Sequence, residues 1–563
     1  MRFFPYLGLY LLTLIGFSVL FVGEPSGPRL VDVTVESGLQ NFIDIQGGSA
    51  KQHIVETMGG GCAFLDYDRD GNLDVVLVSG TTVDHYLKQG GDIVCALFRG
   101  DGKGHFQDVT AAAGITARSW GMGVAVGDID NDGWEDIFIP CYGRNVLLRN
   151  LGNGKFEEGA LQRGVVDPRW SVTASFLDMD RDGDLDLYVS NYLEYDLTRQ
   201  VKRSAPCVFR GFEVFCGPRG YPGARDALLL NDGTGHFKDV AAERGIDPES
   251  LYGMGMAVSD YDNDGWPDIF VANDLTPNLL YHNLGKGQFE EVGISAGVAY
   301  DENGIEQGSM APDFGDFNND GWLDLFYTAS SYQTKELCVN NKDGTFSQRT
   351  YAFGLGETTY LHVGWGICFA DLNNDGWEDL FIVNAHLYPQ ADRFDMGLKF
   401  KQRKLVFMND GGKTFRLAND QWGPAVDQPN AARGLAYGDF DNDGDLDILI
   451  NNQDGPPTLL RNDGGNRQHW LMVGCLGDQS NRSAVGTRLR VRTSQGQQIR
   501  EIKAGSSYGS QNDPRAHFGL GSAEWVDELE IRWPSGLVEK RQRIKSDQLM
   551  RVDEGHLAEA KIR

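Results

Sequence analysis

Residues 123–139 read Gly-Val-Ala-Val-Gly-Asp-Ile-Asp-Asn-Asp-Gly-Trp-Glu-Asp-Ile-Phe-Ile, and this stretch decides the fold. A run of small and apolar residues is followed by a loop with an aspartate at every second position, and then by a β-prone apolar run. The same order recurs seven times along the chain, with 50 to 82 residues between successive starts. A motif repeated at such spacing is typical of stacked structural units.

The acidic loop of each repeat follows the pattern D-x-[DN]-x-D-G-x-x-D, whose nine positions are numbered here from its first aspartate. The candidate metal ligands are the side chains at positions 1, 3, 5 and 9 and the backbone carbonyl at position 7. Asn replaces Asp at position 3 in the fifth and sixth repeats. In repeats one to seven these residues are Asp66, Asp68, Asp70, Asn72 and Asp74; Asp128, Asp130, Asp132, Trp134 and Asp136; Asp178, Asp180, Asp182, Asp184 and Asp186; Asp260, Asp262, Asp264, Trp266 and Asp268; Asp316, Asn318, Asp320, Trp322 and Asp324; Asp371, Asn373, Asp375, Trp377 and Asp379; Asp439, Asp441, Asp443, Asp445 and Asp447.

These loops predict up to seven bound Ca²⁺ ions. Six or more oxygen ligands in a flexible cage suit Ca²⁺ better than Mg²⁺, and the loops contain no His or Cys that would indicate zinc or copper. Clustered carboxylates also repel one another unless a cation neutralises them. One alternative is that the loops are simple Asp/Gly turns. An EF-hand is rejected, because position 12 holds apolar strand residues such as Leu77 and Ile139 instead of Glu.

The fold class that follows is all-β: a seven-bladed β-propeller and a small C-terminal β-sandwich-like domain. Each repeat shows about four short strands, with hairpin signals such as Asn-Asp-Gly between apolar runs, which is typical of a propeller blade. The seventh repeat lacks its closing strand, and a matching segment stands at 30–39. We therefore expect this N-terminal strand to complete the last blade and close the ring.

Three segments are expected. Residues 1–28 combine Arg2 with an apolar run over 3–23, which predicts an export signal or, slightly favoured, an uncleaved membrane anchor, with a buried core helix as the other reading. Residues 29–467 form the propeller, and residues 468–563 form the C-terminal domain, whose strands alternate between polar and apolar residues. The protein is thus expected outside the cytoplasm, in contact with a membrane only through its N-terminal segment.

Cys207 and Cys216 stand apart from the other six cysteines, inside a long insertion between the third and fourth acidic loops. A disulfide-closed, hairpin-like loop is plausible there in an oxidising compartment, and two free buried thiols are the alternative. Three other cysteines, Cys62, Cys141 and Cys368, lie beside or within apolar runs and are expected in the core.

The net charge of the chain and the sequence motifs it lacks exclude several classes of protein. The chain has 51 Lys and Arg against 80 Asp and Glu, a net charge of −29, and no basic stripe, which excludes a nucleic-acid-binding protein. No nucleophile elbow, metalloprotease, Walker or dinucleotide motif is present, and no catalytic residue or organic cofactor is predicted. His53 with Glu56, and His362 with His386, are the possible polar clusters at the propeller mouth. The Trp side chains at position 7 are expected between blades, or on a carbohydrate-stacking surface.

Several segments resemble known families. The seven loops resemble the calcium-binding FG-GAP/VCBS repeats, and 481–487, 505–511, 517–521 and 531–536 resemble the ASPIC/UnbV domain. The combination is similar to the cartilage acidic protein family and its bacterial relatives, including the cysteine insertion. This resemblance implies the architecture and the Ca²⁺ positions, but no generally assigned reaction.

The expected function is therefore that of a non-catalytic, calcium-dependent binding or scaffold protein. Its partner is expected to be a protein or a glycan that docks on a propeller face or on the tail domain. An enzyme that uses the central funnel on a metabolite or glycan is the alternative. The sequence leaves the oligomeric state open.

Overall fold

The structure is a computed structural model that describes residues 27–199, 206–246, 251–393, 397, 399–556 and 560–561. The export signal or anchor expected over 1–28 therefore lies, apart from its last two residues, outside the described residues. Among the residues described, no helix is both long and apolar enough to span a bilayer. The described residues form nine four-stranded sheets, and seven of these sheets each contain one acidic motif between two of their strands.

The seven motif-bearing sheets are antiparallel and form the blades of a propeller, which confirms the predicted fold class. Blades 1 to 6 take their strands in chain order, blade 7 takes its fourth strand from the N-terminal side, and in every blade the acidic loop joins the first strand to the second. Blades 1 to 7 consist of Cys62–Leu65, Asp74–Val78, Cys95–Gly100 and Phe106–Asp108; Ala125–Gly127, Asp136–Ile139, Val146–Asn150 and Phe156–Glu158; Ser171–Leu177, Asp186–Asn191, Ala227–Asn231 and Phe237–Asp239; Gly253–Ser259, Asp268–Asn273, Leu279–Asn283 and Phe289–Glu291; Ser309–Gly315, Asp324–Ala329, Glu336–Asn340 and Phe346–Gln348; Gly364–Ala370, Asp379–Asn384, Leu405–Asn409 and Phe415–Leu417; Ala432–Gly438, Asp447–Asn452, Thr458–Asp463 and Arg29–Asp32.

The first strands of consecutive blades lie against one another around the ring, so they line the central channel. Small residues stand beside these strands for a steric reason: a side chain on Gly61 or Gly123 would collide with backbone atoms of Gly509 and of the neighbouring blade. Apolar side chains of adjacent blades form the cores between them, as where Met179 of blade 3 packs with Met256 of blade 4. All seven acidic loops emerge on one face, called here the acidic-loop face. The opposite face, which carries the connections between the second and third strands of the blades, is called here the hairpin face.

The N-terminal strand completes blade 7. Arg29–Asp32 pairs antiparallel with Thr458–Asp463, so the first and last parts of the propeller share one sheet. The backbone N–H of Leu30 also donates to the carbonyl of Trp422 at 2.9 Å, which attaches the strand to the segment after blade 6. Leu30 itself is buried. The closing strand thus takes the place for which the seventh repeat has no segment of its own.

The C-terminal domain consists of two four-stranded sheets around one apolar core. Its sheets contain a parallel pair, His469–Leu476 with Gln548–Asp553, in otherwise antiparallel surroundings. The strands are His469–Leu476, Ala516–Gly521, Gln548–Asp553 and Ala560–Lys561 in one sheet, and Arg488–Thr493, Gly496–Glu501, Trp525–Arg532 and Val538–Lys545 in the other. This is the small β-domain that the sequence predicts.

The remaining elements are short and lie in the connections between strands. The helices are Thr34–Ser37, Val83–Gln89, Gly293–Ala296, Gly356–Thr359 and Pro424–Asp427, and the small strands are Asp92–Ile93, Arg118–Gly121, Cys141–Tyr142, Val208–Phe209 and Phe212–Glu213. The last two form a hairpin inside the blade 3 insertion. Because that insertion joins the second and third strands of its blade, it lies on the hairpin face.

A loop of the C-terminal domain enters the propeller channel from the acidic-loop face. Residues 504–511, called here the axial loop, bond to first strands of several blades. Phe64 and Val124 donate their backbone N–H groups to the carbonyls of Gln511 and Gly509, at 3.1 and 2.9 Å. Ser510 Oγ accepts from the backbone N–H of Leu435 at 3.1 Å. The axial loop thereby supplies partners to inner-strand backbone groups that no neighbouring strand can reach.

Candidate metal centres

The acidic loops share a backbone conformation that the sequence explains. Position 4 has a left-handed conformation in all seven, and it is occupied by Asn in five loops and by Arg in two. Asn tolerates this conformation better than most residues. Glycine follows at position 6, for example Gly133 with φ +92°. These two positive-φ residues turn the chain twice, so that the carboxylates on either side of them point inward.

Backbone donors fix the carboxylates at positions 1 and 9. In loop 2, Asp128 accepts from the N–H groups of Asp132 and Gly133, at 3.1 and 2.6 Å. Asp136 accepts from the N–H groups of Ile129 and Asn150, at 3.1 and 2.7 Å, and so ties the loop to the third strand. The same position 9 bonds recur in other blades, for example at Asp447. The loops are therefore ordered by their own backbone before any ion is considered.

The predicted ligands come together in the structure. Carboxylate oxygens of three loop residues lie within 4.8 Å of one another in each of the first four loops, with Asp128, Asp130 and Asp136 as one such group. In the fourth loop, His282 joins Asp262 and Asp268 in a further group, which the sequence motif did not include. The loops thus contain acidic groups that can hold metal ions.

Buried carboxylate oxygens that lack a hydrogen-bond donor indicate that these residues fit a cation. The Oδ1 atoms of Asp130, Asp180, Asp260 and Asp441 are buried and accept no hydrogen bond. A buried carboxylate oxygen without a donor costs free energy, since it has lost its water and gained nothing in return. A cation among these oxygens supplies the missing partner. Four side chains, whose carboxylates can each give one or two oxygens, and a backbone carbonyl can together supply the six or more oxygens that Ca²⁺ takes.

Burial also raises the pKa of the loop carboxyls. It raises the pKa of Asp128 to about 6 and the pKa of Asp260 to about 7, and neighbouring loop carboxylates add to the effect in both. The pKa of Asp74, at position 9, rises to about 8 for the same reasons. Without a cation, these loops hold protons at pH values where an exposed aspartate is ionised.

The fifth and sixth loops differ at position 3. Asn318 Nδ2 donates to Asp324 Oδ2 at 3.1 Å, and Asn373 Nδ2 donates to Asp375 Oδ2 at 3.0 Å. Each of these loops has three carboxylates instead of four. The amide therefore replaces a negative charge and hydrogen-bonds to a remaining carboxylate.

A second repeated residue, which the sequence motif did not include, joins each of blades 2 to 7 to the blade before it. An Asn stands at the end of the third strand in blades 2 to 6 and one residue before the end in blade 7, and its Nδ2 donates to a backbone carbonyl in the previous acidic loop. Asn340 of blade 5, for example, donates to Tyr261 of blade 4 at 2.9 Å and to Leu323 of its own loop at 3.0 Å. These residues are Asn150, Asn231, Asn283, Asn340, Asn409 and Asn462. The sequence does contain a sign of them, because in repeats 2 to 7 an Asn follows the apolar run that precedes the hairpin turn.

Position 4 side chains connect the acidic loops to one another. Asn131 Nδ2 donates to the Gly183 carbonyl of the next loop at 3.0 Å, and Asn319 does the same to Gly376 at 2.8 Å. Where position 4 is Arg, it lies over the position 7 indole of the next loop. Arg69 lies 5.3 Å from the ring centre of Trp134. This indole lies between blades, which was one of the two expectations for the position 7 tryptophans.

On the hairpin face, Cys207 and Cys216 form a disulfide. Cys62, Cys141 and Cys368 are buried. Phe209 and Phe215, from the disulfide-closed segment, contact Tyr388 with ring centres 5.2 and 4.7 Å apart. The insertion therefore folds over the propeller beside blade 6. A cavity of about 120 Å³ remains beneath it, lined by side chains that include Tyr192, Met254 and Asp274.

The histidine clusters considered from the sequence have structural partners. Glu56 accepts from the backbone N–H groups of Gly48 and His53, at 2.7 Å each, and so caps a turn. His362 and His386 bond to backbone atoms of Thr358 and Tyr388. Burial lowers the pKa of both rings to about 4, which keeps them neutral.

Comparison with known families identifies the repeats. The profile of the FG-GAP-like repeat matches residues 66–139, 130–189, 213–271, 260–327 and 316–382, which together cover just over half of the chain. The chain belongs to the FG-GAP-like repeat family. Residues 477–559 match the ASPIC and UnbV domain, so the C-terminal domain is of this type. The resemblance drawn from the sequence is thereby confirmed.

Curated relatives point to the same combination. Cartilage acidic protein 1 of Xenopus tropicalis is 29% identical over 321 residues, which cover 55% of this chain and 46% of the relative. The human protein of the same name is 28% identical over 326 residues, with 56% and 46% covered. The chain thus matches about half the length of these relatives and is related to cartilage acidic protein.

Solved structures similar to this chain have low sequence identity. The complex of YCF48 with a D1 peptide covers 75% of this chain and 97% of its own, at 10% identity and a TM-score of 0.40. An Agrocybe aegerita protein that recognises terminal N-acetylglucosamine covers 65% and 84%, at 18% identity and a TM-score of 0.38. The assignment of seven blades rests on the sheets of the chain itself.

Proposed function

We propose that the protein is a calcium-binding propeller that acts as a non-catalytic binding or scaffold protein outside the cytoplasm, with up to seven Ca²⁺ in its acidic loops. The observation that carries the proposal is the set of buried, unpartnered carboxylate oxygens, such as Asp130 Oδ1 and Asp441 Oδ1. Such oxygens need a cation, and six or more oxygen ligands favour Ca²⁺.

The position of the loops explains what the ions do. Each loop joins the first and second strands of its blade, and its position 9 carboxylate binds the third strand through backbone N–H groups. An ion in the loop therefore holds three strands of one blade together. Since Asn131 and its equivalents connect successive loops, the ions also stiffen the ring.

The state of the central channel supports a binding role over an enzyme. The axial loop occupies the channel from the acidic-loop side, and Tyr508 within it is fully buried against Trp365. On the hairpin side, the histidines and Glu56 are engaged in bonds that order turns. No feature of the described residues favours the enzyme alternative.

The hairpin face is the proposed docking surface for a protein or glycan partner. The C-terminal domain already lies on the acidic-loop face, where it hydrogen-bonds to the loops. The hairpin face lies on the opposite side of the ring from this domain, and Val208, Ile305 and Leu361 are exposed on it. We therefore assign the partner to the hairpin face.

Thermal unfolding with and without Ca²⁺ tests the proposal. Metal-free protein is expected to melt at a clearly lower temperature than protein in millimolar Ca²⁺, because an ion that binds only the folded state stabilises it. Native mass spectrometry then counts the ions. Asp136→Asn is expected to remove one ion, whereas Asp108→Asn, an exposed residue outside the acidic loops, leaves the count unchanged. Equal melting curves and no bound ions would contradict calcium binding.

The location outside the cytoplasm rests on the apolar run over 3–23 and on the disulfide of Cys207 and Cys216. Disulfides persist in oxidising compartments and are rare in the cytosol. Alkylation of whole cells before and after reduction tests this: the two cysteines should react only after reduction. Free Cys207 and Cys216 in freshly lysed cells would place the protein in a reducing compartment.

A further inference from the structure

One residue on the third strand of each blade faces position 3 of the acidic loop. It directly precedes the residue that donates its backbone N–H to the position 9 carboxylate, and it is called here the facing residue. In blades 1 to 7 the facing residues are Arg99, Arg149, Leu230, His282, Val339, Met408 and Arg461. Four of them carry a basic side chain and three are apolar.

In blades 1 and 2 the facing arginine binds the position 3 aspartate directly. In blade 1, Arg99 Nε lies 2.6 Å from Asp68 Oδ2. In blade 2, Arg149 Nε donates to Asp130 Oδ2 at 2.7 Å. Both arginines also reach the position 5 aspartate, through Nη2 at 2.8 and 3.0 Å.

Blades 4, 3 and 7 place their basic groups differently. His282 Nδ1 lies 3.4 Å from Asp262 Oδ2 in blade 4 and 3.2 Å from the position 9 carboxylate of Asp268. Blade 3 has an apolar facing residue, and Arg244, from the segment after the fourth strand, reaches within 4.0 Å of Asp180 instead. In blade 7, Arg461 Nε donates to Asp463 Oδ1 at 2.7 Å. Four of the five position 3 aspartates therefore have a basic group within 4.0 Å.

The two loops with Asn at position 3 show the converse. Asn318 of blade 5 is paired with the facing residue Val339, and Asn373 of blade 6 is paired with Met408. Neither facing residue has a charge to offer, although Lys342 Nζ lies 3.2 Å from the position 5 carboxylate of Asp320 in blade 5. A basic facing residue thus occurs only in blades that have Asp at position 3.

The geometry in blade 2 shows how one carboxylate serves two neighbours. Asp130 Oδ2 is bonded to Arg149 and also lies 3.6 Å from Arg163. Its Oδ1 is buried and has no hydrogen-bond partner. The basic groups therefore occupy one oxygen, and the other remains for an ion in the loop.

We propose that a basic facing residue lowers the calcium affinity of its blade by cancelling charge at the position 3 aspartate. In loops 1 and 2 an arginine binds this carboxylate, whereas in loop 6 position 3 is Asn373 and the facing residue is Met408. Ca²⁺ affinity depends on the charge of its ligands, so removing either member of the arginine–aspartate pair changes the affinity in opposite directions. The inference rests on the proposed calcium binding.

The test converts blade 2 into the arrangement of blade 6. Three variants are compared with the native protein: Arg149→Met, Asp130→Asn and the double variant. Hydrogen exchange of peptides covering 124–139 is followed against free Ca²⁺, which reports the affinity of loop 2 alone. The unchanged loop over 371–379 serves as the internal control in every sample.

If Arg149 cancels the charge of Asp130, the variants should bind Ca²⁺ at loop 2 in a specific order of affinity. Arg149→Met should tighten Ca²⁺ binding at loop 2 by roughly tenfold, and Asp130→Asn should weaken it by roughly tenfold, since each changes the local charge by one. The double variant should return to within about threefold of the native value. Arg149→Lys, which keeps the charge, should stay close to the native affinity.

Two results would overturn the inference: an unchanged or weaker affinity in Arg149→Met, or a double variant that remains as weak as Asp130→Asn. If blade 2 variants fail to fold, the reverse change in blade 5 asks the same question. There, Val339→Arg should weaken loop 5, and added Asn318→Asp should restore it. If no loop of the native protein responds to Ca²⁺, the calcium proposal itself fails. A native response without an effect of Arg149 rejects only this inference.

Discussion

At the scale of single residues, the repeats differ in sequence but share one bond, from a third-strand N–H to the position 9 carboxylate. Six blades add the third-strand Asn and four loops add the position 4 Asn, and both donate to backbone carbonyls of a neighbouring loop. A side chain that satisfies buried backbone carbonyls is expensive to remove, because those carbonyls have no water to replace it. The blades are thus joined by bonds that hydrophobic cores alone would not supply.

The bond between blades 4 and 5 can be tested by Asn340→Ala. The substitution removes donors to the carbonyls of Tyr261 and Leu323 inside a buried site, and should lower the free energy of unfolding by about 1–3 kcal/mol. Asn341→Ala is the matched control, because Asn341 is exposed and bonds within its own hairpin. It should cost less than about 0.5 kcal/mol. Urea unfolding in saturating Ca²⁺ measures both, and equal costs would show that the inter-blade bond carries no stability.

At the scale of elements, the seven sheets were readable from the sequence, because the acidic motif marks the turn between the first two strands of every blade. The position of the N-terminal strand was readable from the missing end of the seventh repeat. The axial loop was not: Gly505–Gln511 is small and polar, and nothing in its residues shows that it enters a channel formed over 300 residues of chain. The third-strand Asn was visible but ambiguous, since Asn before Gly also marks an ordinary hairpin turn.

The closing strand should contribute strongly to the stability of the whole ring. Leu30 is 1% exposed, and Leu30→Ala should lower the free energy of unfolding by about 2–5 kcal/mol, because it leaves a cavity where the strand joins the core. Val35, in the next turn, is 68% exposed, and Val35→Ala should have little effect. Chemical denaturation compares the two. A Leu30 variant as stable as the Val35 variant would mean that the ring holds without this contact.

At the scale of the whole molecule, the acidic loops affect both the charge and the assembly of the protein. The net charge is −29, and much of the acidic excess lies in the loops. The same loops carry the C-terminal domain, through backbone carbonyls and position 4 side chains. Metal binding, pH and domain docking are therefore expected to depend on one another.

The stabilisation by Ca²⁺ should grow as the pH rises from about 5 to about 7.5. In the metal-free protein, burial raises the pKa of loop carboxyls, for instance to about 7 for Asp316 and about 8 for Asp268. Their contribution to stability is complete below the unfolded pKa and is lost as the pH rises through these values. Ca²⁺ binding releases the same protons, so the metal-bound protein escapes this loss. Melting temperatures with and without Ca²⁺ across this range measure the stabilisation. A stabilisation that becomes smaller as the pH rises would contradict the prediction.

Docking of the C-terminal domain should depend on Arg515. Its Nη1 donates to Asn442 Oδ1 at 2.6 Å and its Nη2 to the Asp439 carbonyl at 2.7 Å, so it connects the seventh acidic loop to the base of the axial loop. Arg515→Ala removes both donors and leaves Asp513, its partner at 2.6 Å, uncompensated in a buried site. We expect faster hydrogen exchange in peptides covering 504–511 and at Phe64, whose N–H bonds to Gln511, with the blades themselves still protected. Arg492→Ala is the control, because Arg492 is exposed and pairs with Glu528 inside its own domain.

Removal of Ca²⁺ should have the same effect on the axial loop as Arg515→Ala, because the acidic loop that presents Asp439 and Asn442 loses its ion. Unchanged exchange in the axial loop after both treatments would show that the domain is held in the channel independently of the loops.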